Sequence, residues 1–135
     1  MVREIIIETP GAGLHDITTD VTRVVSDAGV DTGLCTLFIR HTSASLVIQE
    51  AADPSARRDL ERWFDHLVAP NDPLYTHTAE GPDDMPSHIK SALTATSLSI
   101  PIIDGALALG TWQGVYLWEH RAMPHHRRLL VHISE

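Results

Sequence analysis

The chain of 135 residues has a single cysteine, Cys35, so it can form no internal disulfide. Cys35 stands in the apolar run GLCTLFI and reads as a small buried residue, with a catalytic thiol as the alternative. No hydrophobic stretch approaches the roughly 18–20 residues of a membrane span. The opening MVREIIIETP has too short an apolar run for a signal peptide and lacks a small-residue cleavage site. The expectations are therefore no membrane partner and a cytoplasmic location. Positive charge is scarce: 10 Lys and Arg face 18 Asp and Glu, for a net charge of -8. That balance excludes a general nucleic-acid or anionic-surface binder, which needs a basic face. Neither HExxH nor CxxC spacing occurs, and no GxSxG-like elbow surrounds Ser43. Internal repeats, low-complexity tracts and linkers are also absent, so residues 1–135 are expected to form one domain.

The elements that are present suggest an α+β fold. VREIIIE at residues 2–8 is β-branched and reads as a first strand, broken by Pro10, Gly11 and Gly13. Ile17, Val21, Val24 and Val25 then recur at helical spacing from an Asp16 cap to Gly29. LCTLFIR at 34–40 reads as a buried strand. HTSAS and LVIQE continue it, either as one long bent strand or as a hairpin. Asp53-Pro54 opens a second helix to about Val68, with Leu60, Trp63, Phe64 and Leu67 on its apolar face. A third helix is expected to begin at Pro86, with Ile89 and Leu93 toward the core. Strands follow at 97–103, 106–109, 111–118 and 129–133, Asp104-Gly105 marking a hairpin turn. Residues 119–128 read as a polar turn, with Arg127 and Arg128 solvated. About three helices and a mixed or largely antiparallel, sandwich-like sheet are the expected architecture.

Nine histidines are many for this length, and two to four of them are expected to do chemistry. YTHTAEGPDDMPSHIK, residues 75–90, is the stretch richest in groups that bind metals or move protons. Asp84 and His88 are four apart and share a helical face, where a carboxylate fixes an imidazole's tautomer and raises its basicity, which serves a catalytic general base or a metal ligand equally well. His77 and Glu80 lie on the preceding loop. Imidazole and carboxylate together suit zinc or a similar ion. His41 sits where the best buried strand meets the hydroxyls of Thr42, Ser43 and Ser45, which suit a phosphate or carbonyl oxygen, or their own backbone. In GTWQGVYLWEHR, residues 110–121, Trp112, Gly114, Tyr116 and Trp118 alternate onto one strand face and read as core or subunit interface. Arg121 suits a phosphate or carboxylate clamp, or an ion pair with Glu119 or another acid.

HTSAS, EGPDDMPSHIK and GTWQGVYLWEHR, in this order and spacing, together with Asp53-Pro54 and the segment Ser97 to Pro101, resemble the YjbQ-like family, often called secondary thiamine-phosphate synthase enzymes. The resemblance covers almost the whole chain. It implies a small single-domain α+β fold assembled as a homotrimer, and thiamine phosphate formation as a side activity. The matching positions are His41, His77, Glu80, Asp84, His88, Gln113, Glu119, His120 and Arg121.

Three functions follow as expectations. The first is an enzyme of thiamine phosphate metabolism, with a divalent cation neutralising pyrophosphate. Asp84 and Glu80 would hold magnesium, Arg121, Thr42 and Ser43 would hold phosphate, and Gln113 would contact the bound ligand. Magnesium prefers oxygen ligands, whereas the distinctive residues are imidazoles. The second is a metal-dependent hydrolase or lyase in which His41, His77 and His88 bind zinc or a similar ion and Asp84 or Glu119 serves as general base or holds a ligating histidine in place. The third is a non-catalytic trimeric module for a small anionic ligand.

Overall fold

Eleven elements run through a computed structural model that describes residues 1–135. They are β1 (Val2–Thr9), β2 (Gly13–Asp16), α1 (Thr18–Ala28), β3 (Gly33–Ile39), β4 (Ala44–Glu50), α2 (Pro54–Leu67), α3 (Asp84–Leu93), β5 (Ser97–Ile103), β6 (Ala106–Leu107), β7 (Gln113–Glu119) and β8 (His125–Ser134). The strands form a five-stranded sheet in the order β1-β8-β3-β5-β6 and a three-stranded sheet in the order β2-β7-β4. Every strand pairing is antiparallel. The α+β reading is met. No helix is long and apolar enough to cross a membrane.

Alternation sets the core. Cys35, Leu37 and Ile39 of β3 and Leu129, Val131 and Ile133 of β8 point inward, to meet Val115 and Leu117 of β7, Leu46 of β4, and Val21, Val24 and Val25 of α1. Burying such a side chain contributes roughly 1.5–3 kcal/mol, which offsets the weak helix propensity of the valine-rich α1. The other face of β7 carries Tyr116 and Trp118, which pack with Leu14, Phe64 and Val68. These two aromatics are thus core, whereas Trp112 lies before the strand and is exposed. At Gly114 a Cβ would meet the Ala51 Cβ at 2.8 Å, so this glycine marks a close approach.

Several sequence expectations need correction. β3 and β4 are neither one bent strand nor a hairpin: residues 40–43 carry the chain from one sheet to the other. Residues 13–16 are a strand, since they can pair with β7. The α1 cap residue is Ile17; the Asp16 carboxylate instead accepts the Thr18 N–H at 2.9 Å. Asp53 does cap α2, accepting the Ser55 N–H at 2.9 Å. On α2 only Phe64 is buried, with Trp63 and Leu67 exposed, because the helix rests on the narrow three-stranded sheet. α3 begins at Asp84 rather than Pro86, and Leu93 is exposed. β8 starts at His125, so Arg127 is not on a solvated turn but 3% exposed on an inward-facing strand position.

Candidate metal centre

The start of α3 and the end of β7 are tied together by Arg121. Its Nε donates to Asp83 Oδ2 at 3.0 Å and its Nη1 to Asp84 Oδ1 at 2.8 Å, while Nη2 donates to the Glu80 carbonyl at 2.9 Å. The Ala122 N–H adds a further bond to Asp83 Oδ2 at 2.9 Å. One guanidinium therefore fixes both aspartates and the loop before them. It explains why the helix begins where it does, with the carboxylates at its positive end. The Asp83 side chain faces Arg121 rather than capping α3.

Asp84 is 1% exposed. Its Oδ1 is taken by Arg121, and its Oδ2 lies 2.7 Å from His77 Nε2 and 3.2 Å from His88 Nε2. Burial by itself would raise the Asp84 pKa. The His88 charge, the His77 hydrogen bond and Arg121 outweigh it and hold the carboxyl below its ordinary value. The atoms with which His77, Asp84 and His88 could hold an ion all lie within 4.8 Å of one another. The imidazole rings are 5.4 Å apart.

His88 is oriented from its other side. Its Nδ1 lies 2.8 Å from the Thr42 carbonyl oxygen, which can only accept, so Nδ1 carries a proton. In a neutral ring Nε2 is then a lone pair aimed at the Asp84 carboxylate. Two acceptors at that separation require a positive charge between or upon them: a proton, giving imidazolium, or a metal ion. A carbonyl holding the far nitrogen of a ligating histidine is the usual way of presenting the near one to a metal.

A cleft of about 590 Å³ opens over the cluster. His41, Thr42, His77 and His88 line it with Met85, Ser91, Ala92 and Thr96. A second hollow of about 450 Å³ shares His77 and Met85 and runs under the loop at Asn71, Asp72 and Tyr75. Met85, Ser91 and Ala92 were not singled out in the sequence. Their helical spacing from Asp84 and His88 is the signal that would have found them.

The remaining candidates fall elsewhere. His41 lines the cleft but is no member of the ligand cluster: its Nε2 accepts the Arg128 backbone N–H at 2.7 Å, and Asp84 stands where a third imidazole was expected. Thr42 contributes its carbonyl to His88. The Ser43 carbonyl accepts from the His120 N–H and from Arg127. Glu80 contributes its carbonyl to Arg121. Gln113 is exposed outside the cleft, its Oε1 accepting the Gly110 N–H at 2.8 Å.

Glu119 is 1% exposed and pairs with Arg127, not Arg121; it also accepts from Thr9 Oγ1 at 2.6 Å. Burial opposes its ionisation, but Arg127, Thr9 and the Arg121 N–H hold its pKa below the ordinary value. This is a buried structural ion pair whose members are not part of the cleft lining. His120 is 5% exposed, with Nε2 2.8 Å from Ser45 Oγ and Nδ1 without a partner. Burial drives its pKa down to about 3, so the ring is neutral.

Fold and site together define a small α+β protein with two antiparallel sheets and a histidine–aspartate cluster at a helix start. The YjbQ-like UPF0047 family model matches residues 3–135, and the chain belongs to that family. It is 55% identical over 130 residues to the UPF0047 protein sll1880 of Synechocystis, covering 96% of this chain and 88% of that one. It is 48% identical over 120 residues to the UPF0047 protein YjbQ of Salmonella typhimurium, covering 88% and 86%. A crystal structure of a YjbQ/UPF0047 family protein from Clostridium acetobutylicum superposes with a TM-score of 0.89 at 36% identity, covering 98% of this chain and 99% of that one. The conserved hypothetical protein TT1486 of Thermus thermophilus gives 0.87 at 34% identity, with coverage of 98% and 99%. These names give a family and a fold, and no reaction.

Proposed function

We propose that His77, Asp84 and His88 form a divalent-metal centre, zinc or similar, for hydrolase- or lyase-type chemistry on a small anionic substrate. The observation that carries this reading is the His88 ring, whose Nδ1–H is committed to the Thr42 carbonyl while Nε2 faces a buried carboxylate oxygen. Two imidazoles and one carboxylate suit zinc better than magnesium, which wants oxygen ligands throughout. Three protein ligands would leave room for a water or substrate oxygen on such an ion. A bound ion would there acidify a water and polarise a substrate oxygen. Arg121 keeps Asp84 in place.

The test is direct. Purified wild type should take up about one zinc or cobalt ion per chain, and His88→Ala should not. Equal uptake by both proteins, or none by the wild type, would remove the metal reading.

Thiamine phosphate formation is the second reading, supported by the resemblance of the three motifs. Its pyrophosphate substrate would find no lysine or arginine lining the cleft. Rescue of a thiamine auxotroph by wild type but not by His88→Ala would favour it. A homotrimer is the proposed assembly. It is supported by the outer face of the five-stranded sheet, where Ile6 and Phe38 are 50% and 47% exposed beside Leu34. Light scattering on the eluted protein reads the assembly directly.

A further inference from the structure

The cleft has one unengaged imidazole nitrogen whose protonation state the backbone dictates. The Arg128 backbone N–H can only donate, so the His41 Nε2 that receives it at 2.7 Å must present a lone pair. A histidine with one lone pair so used carries its proton on the other nitrogen. His41 is thus fixed as the Nδ1–H tautomer. Nδ1 has no partner in the protein, on a residue that lines the cleft with His77 and His88. A protonated nitrogen neither ligates a metal nor accepts a proton, so His41 can do only one thing in the cleft: donate a hydrogen bond.

The charge around the cluster indicates what it donates to. A dication bound there would meet the Asp83 and Asp84 carboxylates and the nearby Glu80 carboxylate against the single Arg121 guanidinium, so little positive charge is left over. No lysine or arginine lines the cleft to add to it. With little charge to offset a polyanion, the cluster and the His41 N–H suit a monoanion with two oxygens, one for the metal and one for the imidazole.

We propose that His41 is a substrate-binding donor, not a metal ligand, and that the cleft takes a carboxylate monoanion, bound between the metal and His41 Nδ1–H, in preference to a pyrophosphate. This rests on the metal reading of the same cleft.

Acetate titrated into cobalt-loaded protein, followed by the visible cobalt spectrum, tests it. His41→Ala should load cobalt as the wild type does but bind acetate roughly tenfold or more weakly, as expected for a lost hydrogen bond to a charged group. His41→Asn, whose amide N–H can occupy the Nδ1 position, should recover affinity to within about threefold of wild type on the same basis. Pyrophosphate should bind more weakly than acetate. Loss of cobalt from His41→Ala would make His41 a ligand and overturn the proposal. So would unchanged acetate affinity in His41→Ala, no recovery in His41→Asn, or tighter binding of pyrophosphate. Long-range proton–nitrogen correlation on the metal-free wild type gives a readout independent of the ion. It should find His41 as the Nδ1–H tautomer, and the Nε2–H tautomer would overturn the donor role even where cobalt binds. A wild type that takes no cobalt fails the metal reading and the carboxylate site with it, whatever the tautomer.

Discussion

Replacing Asp84 by asparagine exchanges one carboxylate oxygen for an amide nitrogen and separates the structural from the chemical role of the carboxylate. In the wild type the buried carboxylate meets Arg121 at 2.8 Å, His77 at 2.7 Å and His88 at 3.2 Å. Removing one partner of a buried ion pair costs about 3–5 kcal/mol when the survivor is left uncompensated. Arg121 is not left so, because its Nε keeps Asp83 and its Nη2 keeps the Glu80 carbonyl. The applicable figure is a hydrogen bond to a charged group, about 1.5–3 kcal/mol. For a chain of this size that lowers Tm by roughly 5–15 °C. Zinc adds the second measurement. An ion present at 100 times its Kd stabilises the wild type by about 2.7 kcal/mol, and the asparagine variant should lose most of that gain. The assay is thermal unfolding of both proteins, each with chelator and with zinc. An Asp84→Asn protein that melts like wild type in chelator would refute the structural account. One that gains as much from zinc as wild type does would refute the ligand assignment.

Glu119→Gln strips the partner from the 3%-exposed Arg127 and should cost about 3–5 kcal/mol in urea unfolding, with metal uptake unchanged in the folded fraction. His120 has a folded pKa of about 3 against an ordinary 6.5, so the unfolded chain binds the proton first. Its contribution is complete above about pH 6.5 and declines toward pH 3, about 2–3 kcal/mol being gone by pH 4.5. His120→Asn should flatten that part of the stability–pH curve, and an unchanged slope between pH 6.5 and 4.5 would contradict it. The Asp84 and Glu119 carboxyls, both held below their ordinary values, contribute stability that is present above about pH 4–4.5 and is lost only as the solution becomes more acid. Cys35 is fully buried, with its pKa pushed up to about 11, and should react with a disulfide reagent only after unfolding.

Strong local rules made much of the fold legible. The Asp53-Pro54 cap, the Gly29 stop and the inward alternation of β3 are each written within a few residues, and each is present. What could not be read depends on pairing at a distance. Residues 13–16 have no strand pattern of their own and are ordered by β7, a hundred or more positions later. Arg127 in a run of basic and imidazole residues looks solvated until Glu119 is seen buried opposite. In the site, the four-residue spacing of Asp84 and His88 was sufficient to pair them. The choice between His41 and Asp84 beside His77 was not available from spacing. It is made by main-chain groups, the Arg128 N–H and the Thr42 C=O, which every residue type carries alike.

That last contact has a consequence for mutational scanning. The group that aims His88 is a peptide oxygen at position 42, in the short crossing between the two sheets. It cannot be deleted by exchanging the side chain. A library that varies Thr42 should find many acceptable residues and score the position as dispensable, although its backbone orients His88. Importance would show only where the peptide itself is altered, as by proline at Ser43 or an ester in place of the amide. A tolerant position can therefore sit at the centre of a site.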